Sequence, residues 1–249
     1  PIEVPFYDRL ADDAFDPRQM LEAAVTERTV AVYVNSPNNP LGTILPERVV
    51  DAIVAVARER DLWVLADEAY ESLYFGDEPA TPIWMRPKLA DRVIVTHTLS
   101  KSHGLAGARI GYTHGPPQAM ATIRSAQTFY SYCASRPMQI AGARAIREGG
   151  PWVERARKLY AEAAQKSADA VGVPTPQGGT FLFFDAKPYL RDGEMVLGFL
   201  ERCVDAGVLL MPGANSGRAY TDWVRLCFSV VPPQQLDEAL ARLRVALDR

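Results

Sequence analysis

Three short runs of apolar, mostly β-branched residues alternate with helical segments in the first hundred residues. They cover residues 29–35 (TVAVYVN), 62–66 (LWVLA) and 92–98 (RVIVTHT). Continuous apolar runs of this length are typical of parallel strands that are buried on both faces. Because parallel strands need crossover connections, we expect an α/β fold with a mostly parallel sheet and helices on both faces.

Polar residues follow each of the three predicted strands. The first strand runs into the Pro/Asn/Gly turn SPNNPLG, the second ends at Asp67, and the third ends just before Ser100 and Lys101. Ligands of such sheets bind at the carboxyl ends of the strands. We therefore expect Asn39, Asp67 and Lys101 to lie at one site.

The remaining pattern predicts two domains. Around the three strands we expect a helix from Pro46 to about residue 60, a further strand at 108–113 and two helices between 116 and 147. After a long helix from 151 to about 170, the runs TFLFFDA, VLLMP and WVRLCFSV alternate with predicted helices at 194–206 and 233–247. The break at Gly149-Gly150-Pro151 therefore divides a partial large domain, 1–148, from a smaller α+β domain, 149–249. In the opening segment PIEVPFY, residues 1–7, apolar and polar residues alternate, which predicts a further strand.

Composition argues against several classes of function. A formal net charge of −3 without a basic run gives no support for nucleic-acid binding. No apolar stretch approaches the ~20 residues of a membrane-spanning helix. The three cysteines, Cys133, Cys203 and Cys227, are widely spaced and form no CxxC pair, so we expect neither a disulfide framework nor a metal site. Cys133 is predicted to be a small buried hydrophobic residue.

The segment around Lys101 contains the residue types of a covalent amine site. Thr98 and Ser100 precede the lysine, and Arg109 follows it eight residues later. A lysine amine suits Schiff-base chemistry, while hydroxyls and a guanidinium suit a phosphate monoester. For any single lysine, however, a solvated surface position is the commoner role.

The other polar motifs also have ordinary structural interpretations. An Asp after a strand, such as Asp67 in DEAY, is a common helix N-cap, and Tyr70 of the same motif suits core packing. Asn, Pro and Gly in SPNNPLG are standard turn formers. An Asp at the edge of a cleft instead needs a cation or a hydrogen-bond donor. No single motif decides between these interpretations.

Taken in order, the motifs resemble those of the fold-type I pyridoxal-phosphate (PLP) enzymes, and specifically the class I/II aminotransferases. SPNNPLG resembles the family's Asn-Pro-Thr-Gly turn, with Leu41 in place of the Thr, and DEAY resembles its Asp-x-x-Tyr motif. TLSKSHGLAGAR is similar to its lysine motif with the later arginine. WVRLCF, which contains Arg225, resembles its late arginine strand. The separations of 28 residues from Asn39 to Asp67 and of 34 from Asp67 to Lys101 also suit the family.

The resemblance implies a PLP-dependent aminotransferase that moves an amino group between an amino acid and a 2-keto acid through a Schiff base on Lys101. Lys101, Asp67 and Tyr70 would be the catalytic residues: Lys101 anchors the cofactor and moves the proton, and Asp67 pairs with the pyridine nitrogen. Asn39 and Tyr70 would donate hydrogen bonds to the phenolate oxygen of the ring. The phosphate would be held by Thr98, Ser100 and Arg109.

The resemblance also implies the substrate contacts and the setting of the protein. Arg225 would clamp the α-carboxylate of the substrate, and Asn39 would lie beside it. Family members are generally cytoplasmic homodimers of amino-acid metabolism and biosynthesis, with amino and keto acids as substrates. They also have a long upstream segment that completes the large domain and the phosphate site, so we expect such a segment to complete this chain.

Two alternatives stay open at this point. Another fold-type I PLP enzyme, such as a C–S lyase, a decarboxylase or a cyclase, could use the same lysine, aspartate and arginine. A non-catalytic or incomplete module of the same fold is the second alternative. A nucleotide-binding α/β domain is set aside, because no GxGxxG motif follows a strand and no Walker loop occurs.

Overall fold

The first sheet has four strands in the order in which they occur along the chain. The computed structural model describes residues 1–6, 9–10 and 12–248. Strands β1 (Ala31–Asn35), β2 (Trp63–Asp67) and β3 (Val93–Thr98) are parallel, and β4 (Gly111–His114) is antiparallel to β3. The predicted α/β fold with a mostly parallel sheet is confirmed.

The described residues form seven α-helices. They are α1 (Pro17–Ala24), α2 (Glu47–Glu59), α3 (Pro117–Tyr130), α4 (Arg136–Glu148), α5 (Gly150–Val171), α6 (Val196–Asp205) and α7 (Pro233–Leu247). Helix α1 was not predicted; Asp16 caps it by accepting from the backbone N–H groups of Arg18 and Gln19. The strand predicted at the start is absent from residues 1–6, and Tyr7 lies outside the described residues. None of the described helices is long and apolar enough to cross a bilayer.

The second sheet is antiparallel, with strand order β5-β7-β6. It contains β5 (Phe181–Asp185), β6 (Met211–Pro212) and β7 (Trp223–Cys227). Side chains of this sheet form a hydrophobic cluster with α5, α6 and α7, in which Phe184, Phe199 and Leu243 are almost fully buried. The division of the chain at 148/149 stays a prediction, although α4 ends and α5 begins at that point.

Only one face of the first sheet is covered by the described residues. Val34, Val64 and Val95 point to the covered face and pack with α2 in a second hydrophobic cluster. The opposite face carries Tyr33, which is 65% exposed, and Leu65, which is 38% exposed. The prediction of helices on both faces is therefore wrong for the described part of the chain. Since side chains alternate along a strand, Asn35 and Asp67 belong to the same face as Tyr33 and Leu65.

Candidate active site

The carboxyl ends of β1, β2 and β3 bring three polar residues to one level of the sheet. Asn35 is opposite Asp67 in the β1–β2 register, and Asp67 is opposite Thr96 in the β2–β3 register. The side-chain amide of Asn35 also donates to the backbone carbonyl of Asp67 at 2.8 Å. Asn35 is buried, so this bond ties the ends of β1 and β2 together in a protected position.

The loop after β1 holds Asn39 out from the sheet. The Oδ1 atom of Asn35 accepts from the backbone N–H of Asn39 at 2.7 Å, and buried Asn38 accepts from the backbone N–H of Leu41 at 3.2 Å. Leu41 contributes only its backbone N–H to these bonds, so the turn does not depend on the side chain at this position. This hydrogen bonding gives the predicted SPNNPLG turn a fixed shape and leaves the Asn39 side chain exposed.

Gly42 allows this loop to dock against the segment that precedes β5. Its φ is +72°, and its carbonyl accepts from the backbone N–H groups of Gln177 and Gly178, both at 2.9 Å. A Cβ atom at Gly42 would lie 2.6 Å from the Cβ of Pro176. Glycine is required here for two reasons, the left-handed backbone and the close approach of the second chain segment.

Both carboxylate oxygens of Asp67 accept hydrogen bonds. Oδ2 accepts from the hydroxyl of Tyr33 at 2.6 Å, and Oδ1 accepts from the backbone N–H of Ala69 at 3.0 Å. A turn follows Asp67, and no helix begins there, so the N-cap interpretation is wrong and the local bond is an Asx turn. No motif in the sequence indicated the Tyr33 contact directly; the one available signal was the position of Tyr33 two residues before Asn35, on the same face of β1.

Tyr70 is buried at the boundary between the two sheets. Its ring meets Phe181 edge-on, with 6.1 Å between centroids, and its side chain is 3% exposed. Burial raises the pKa of the Tyr70 hydroxyl, against the opposing effects of a hydrogen bond with Thr180 and the positive charge of Arg225. The hydroxyl is therefore neutral at physiological pH and able to donate.

Arg225 extends from β7 toward the loop after β1. Its Nη1 donates to Oδ1 of Asn39 at 2.9 Å, and its Nη2 lies 3.0 Å from the sulfur of Met211. The guanidinium stacks over the ring of Phe181, 4.2 Å from the centroid. Stacking on an aromatic face uses none of the five in-plane N–H groups, so those not directed at Asn39 and Met211 can bind a carboxylate. Sequence reasoning missed Phe181 and Met211, whose roles depend on the register of the second sheet.

Lys101 and Arg109 lie in the turn between β3 and β4. Lys101 is exposed, and no hydrogen bond joins its amine to the other described site residues. Arg109 has a left-handed backbone with φ 51°, and its Nη1 donates to the carbonyl of Ala106 at 2.9 Å. Near the start of the turn, the Thr98 hydroxyl donates to the Ser100 hydroxyl at 2.9 Å. The predicted phosphate-binding residues therefore border one exposed turn.

Three hydrogen bonds connect Asp67, the predicted partner of a pyridine ring, with Arg225, the predicted partner of a substrate carboxylate. Asn35 donates to the backbone carbonyl of Asp67 and accepts from the backbone N–H of Asn39, and the side chain of Asn39 accepts from Arg225. Tyr70 lies within the electrostatic reach of both Asp67 and Arg225. The structure thus brings Asn39, Asp67, Tyr70 and Arg225 together, while Lys101 and Arg109 lie beyond the end of the neighbouring strand β3.

A separate acidic cluster lies on the covered side of the sheet. Glu68 is 6% exposed and lines a cavity of about 570 Å³ together with Glu71 and His97. His97 Nδ1 is 2.7 Å from a carboxylate oxygen of Glu71. Burial, together with the negative charges of Glu71 and Asp67, raises the pKa of Glu68 to about 8. This cluster is outside the site described above.

The α/β fold, with Asp67 at the end of β2 and Lys101 just after β3, is the arrangement expected of the family that the sequence motifs resemble. The family model "Aminotransferase class I and II" matches residues 2–243. The chain belongs to this family.

Two related aminotransferases align with nearly the whole chain. An aspartate aminotransferase of Pyrococcus abyssi is 30% identical over 99% of this chain and 64% of its own length. The aromatic-amino-acid aminotransferase 2 of Thermococcus litoralis has the same identity and the same coverage. The chain thus spans less than two thirds of the length of these relatives.

Solved structures agree with this assignment. The N-succinyldiaminopimelate aminotransferase of Mycobacterium tuberculosis superposes with a TM-score of 0.85 at 29% identity, over 92% of this chain and 61% of that chain. The aromatic aminotransferase of Pyrococcus horikoshii gives a TM-score of 0.88 at 27% identity, over 99% of this chain and 66% of that chain. Both neighbours support the fold described above.

Proposed function

We propose that the chain provides the lysine-bearing part of a PLP-dependent aminotransferase. The observation that supports this most strongly is the line of three hydrogen bonds from Asp67 through Asn35 and Asn39 to Arg225. Through the backbone carbonyl of Asp67, it links the residue whose carboxylate suits a pyridine nitrogen with a guanidinium that suits an amino-acid carboxylate. Such a coupling fixes a cofactor and a substrate relative to each other.

The residues fit the chemical groups of PLP. Asp67, with both oxygens oriented by donors, matches a protonated pyridine nitrogen, because each carboxylate oxygen retains a free lone pair. The hydroxyls of Thr98 and Ser100 and the guanidinium of Arg109 match a phosphate. The amine of Lys101 matches the aldehyde. When bound, PLP supplies an electron sink for the bonds at the substrate α-carbon.

Each side chain then has a separate task. Lys101 holds the cofactor through its Nζ atom and afterwards carries the proton that leaves and returns at the substrate α-carbon. Asp67 keeps the pyridine nitrogen protonated. Asn39 and the neutral hydroxyl of Tyr70 donate to the phenolate oxygen of the ring, which favours its charged form.

Arg225 determines the class of substrate in this proposal. Its in-plane N–H groups form two parallel bonds with an α-carboxylate, which an ammonium group cannot reproduce. The stack on Phe181 keeps the guanidinium plane in place. Amino acids and 2-keto acids are therefore the proposed substrates, and the homodimer and the cytoplasmic location stay predictions from the family resemblance.

We also propose that a polypeptide segment of the same family type covers the exposed face of the first sheet. Tyr33, Trp63 and Leu65 are each at least 37% exposed on that face, and none of the side chains of α3 is buried. About a third of the length of the matched relatives lies outside the matched region. Assays should therefore use the protein at its native length.

Reconstitution with PLP tests the proposed function. The wild-type protein should bind PLP with a visible absorbance band, and borohydride reduction should leave the cofactor attached to the peptide that contains Lys101. Lys101→Ala should lose both signals, whereas Lys88→Ala, which removes another exposed lysine, should retain them. A wild-type protein without the band would contradict the proposal and favour a non-catalytic module, which the uncovered sheet face also fits.

A second assay separates transamination from the other reactions of the fold. An amino acid supplied with a keto-acid acceptor should yield its own keto acid and the aminated acceptor. Pyruvate and ammonia released without an acceptor would instead identify a lyase, and carbon dioxide would identify a decarboxylase. Either of these products would replace the aminotransferase proposal with the corresponding alternative.

A further inference from the structure

Tyr33 extends from β1 to the side chain of Asp67 on β2. Its hydroxyl donates to Oδ2 of Asp67 at 2.6 Å, which is within the range of hydrogen bonds between a hydroxyl and a carboxylate. The two residues lie on the same face of the sheet, because Tyr33 is opposite Leu65 in the register and Asp67 is two residues further along β2. The bond therefore crosses diagonally between adjacent strands.

The Tyr33 bond completes the orientation of the carboxylate. The backbone N–H of Ala69 holds Oδ1 from within the same turn, and the Tyr33 hydroxyl holds Oδ2 from the neighbouring strand. Two donors from different elements fix the rotation of the carboxylate plane. Each oxygen has two lone pairs, so a further donor can still bind to either.

We propose that Tyr33 is a positioning residue for the carboxylate that receives the pyridine nitrogen. This inference rests on the proposed function, since it assigns Asp67 to that nitrogen. The hydroxyl fixes the direction of the Asp67 carboxylate and stabilises its negative charge, and it makes no contact with the reacting atoms. The Asp67 carboxylate can bind the pyridine nitrogen well only while it points in the right direction, and the Tyr33 hydroxyl maintains that direction.

A substitution that removes only the hydroxyl separates this role from a purely structural one. Tyr33 belongs to none of the hydrophobic clusters described for the two sheets, and Tyr33→Phe keeps the ring, so the buried clusters retain their contacts. Tyr33→Phe should therefore unfold at the same temperature as the wild type when no cofactor is present.

Equilibrium binding of pyridoxamine 5′-phosphate tests the role directly, because this probe binds without a bond to Lys101. Tyr33→Phe should weaken its binding roughly three- to tenfold, as expected for loss of a hydrogen bond to a charged group that is partly exposed to water. The ¹⁵N NMR shift of a labelled pyridine nitrogen should also move toward that of the unprotonated ring. Tyr112→Phe is the matched control, since it removes a hydroxyl from the opposite face of the same sheet and keeps the ring stacked on His97.

A double substitution shows whether Tyr33 acts through Asp67. In an Asp67→Ala background, Tyr33→Phe should cause no further loss of affinity. Equal affinity and an unchanged nitrogen shift in Tyr33→Phe would overturn the inference while leaving the proposed function intact. A wild-type protein that binds neither pyridoxamine 5′-phosphate nor PLP would overturn both. A lower unfolding temperature of unliganded Tyr33→Phe, together with an unchanged nitrogen shift, would assign the residue a structural role only.

Discussion

The guanidinium of Arg225 donates to the side-chain oxygen of Asn39 across a sequence separation of 186 residues. This bond joins β7 of the second sheet to the loop that follows β1 of the first. A residue of one sheet is thereby held at the carboxyl ends of the strands of the other. A contact that helps to place the second sheet against the first is thus also part of the proposed site.

Arg225→Lys should raise the KM for the amino-acid substrate about ten- to a hundredfold. The lysine retains the charge but provides one point contact where the guanidinium provides a planar pair of donors. Steady-state kinetics across a series of amino acids measures the effect. Arg244→Lys, an exposed arginine of α7, should leave KM unchanged. An equal KM in Arg225→Lys and wild type would contradict the carboxylate role.

Phe181→Leu should raise KM for the carboxylate substrate by a smaller factor, about three- to tenfold, because the guanidinium loses its stacking surface. Phe184→Leu is the control: Phe184 lies on the same strand, is also buried, and points to the opposite side. Both variants should lose roughly 1–2 kcal/mol in free energy of unfolding. Only Phe181→Leu should alter KM, and a similar KM in both variants would show that the stack has no role in binding.

Gly42→Ala should lower the free energy of unfolding by about 2–3 kcal/mol, since it combines an unfavourable positive φ with a backbone clash. Gly193→Ala provides the control, because φ is +75° there and no atom lies within 4 Å of the added Cβ. That variant should lose only about 1 kcal/mol. Urea unfolding of both proteins separates the clash from the backbone effect. Equal losses would mean that the loop moves to accept the methyl group.

Glu68→Gln should remove a pH dependence of stability. The pKa of Glu68 rises from 4.5 to about 8 on folding, so the folded state retains a proton that the unfolded state releases between these values. Stability from this group is present below pH 4.5 and is lost by about 1.4 kcal/mol per pH unit as the pH rises toward 8.

Chemical unfolding at pH 5, 6, 7 and 8 measures this slope. The wild type should lose stability more steeply with pH than Glu68→Gln over that range. Glu162→Gln, which removes an exposed carboxylate of α5, should follow the wild type. Parallel slopes for wild type and Glu68→Gln would contradict the raised pKa.

Local patterns predicted most of the secondary structure. The runs that form β1, β2 and β3 were recognisable because each is apolar over its whole length, and Pro46 indicated the start of α2. Helix α1 was missed because its eight residues contain few apolar positions with helical spacing. The prediction that Cys133 is buried is wrong: it is exposed between α3 and α4, next to a helix, α3, none of whose residues is buried.

The contacts of the site were less accessible to sequence reasoning. That Asn39, Asp67 and Lys101 follow adjacent strand ends could be expected from the order of parallel strands alone. The stack of Arg225 on Phe181 depends on the pairing of β5 with β7, which no local pattern specifies. Tyr33 was part of a run interpreted as buried on both faces, and its exposure is a property of the assembled sheet.

The wide separation of Asn39 and Arg225 along the chain has a consequence during translation. The loop after β1 leaves the ribosome long before β7 has been synthesised, and closing so long a loop is entropically unfavourable until its neighbours have formed. A nascent chain therefore presents Asn39 without Arg225 for most of the synthesis of the intervening residues. The proposed binding site for a substrate carboxylate would be complete only after β7 has paired with its neighbouring strands.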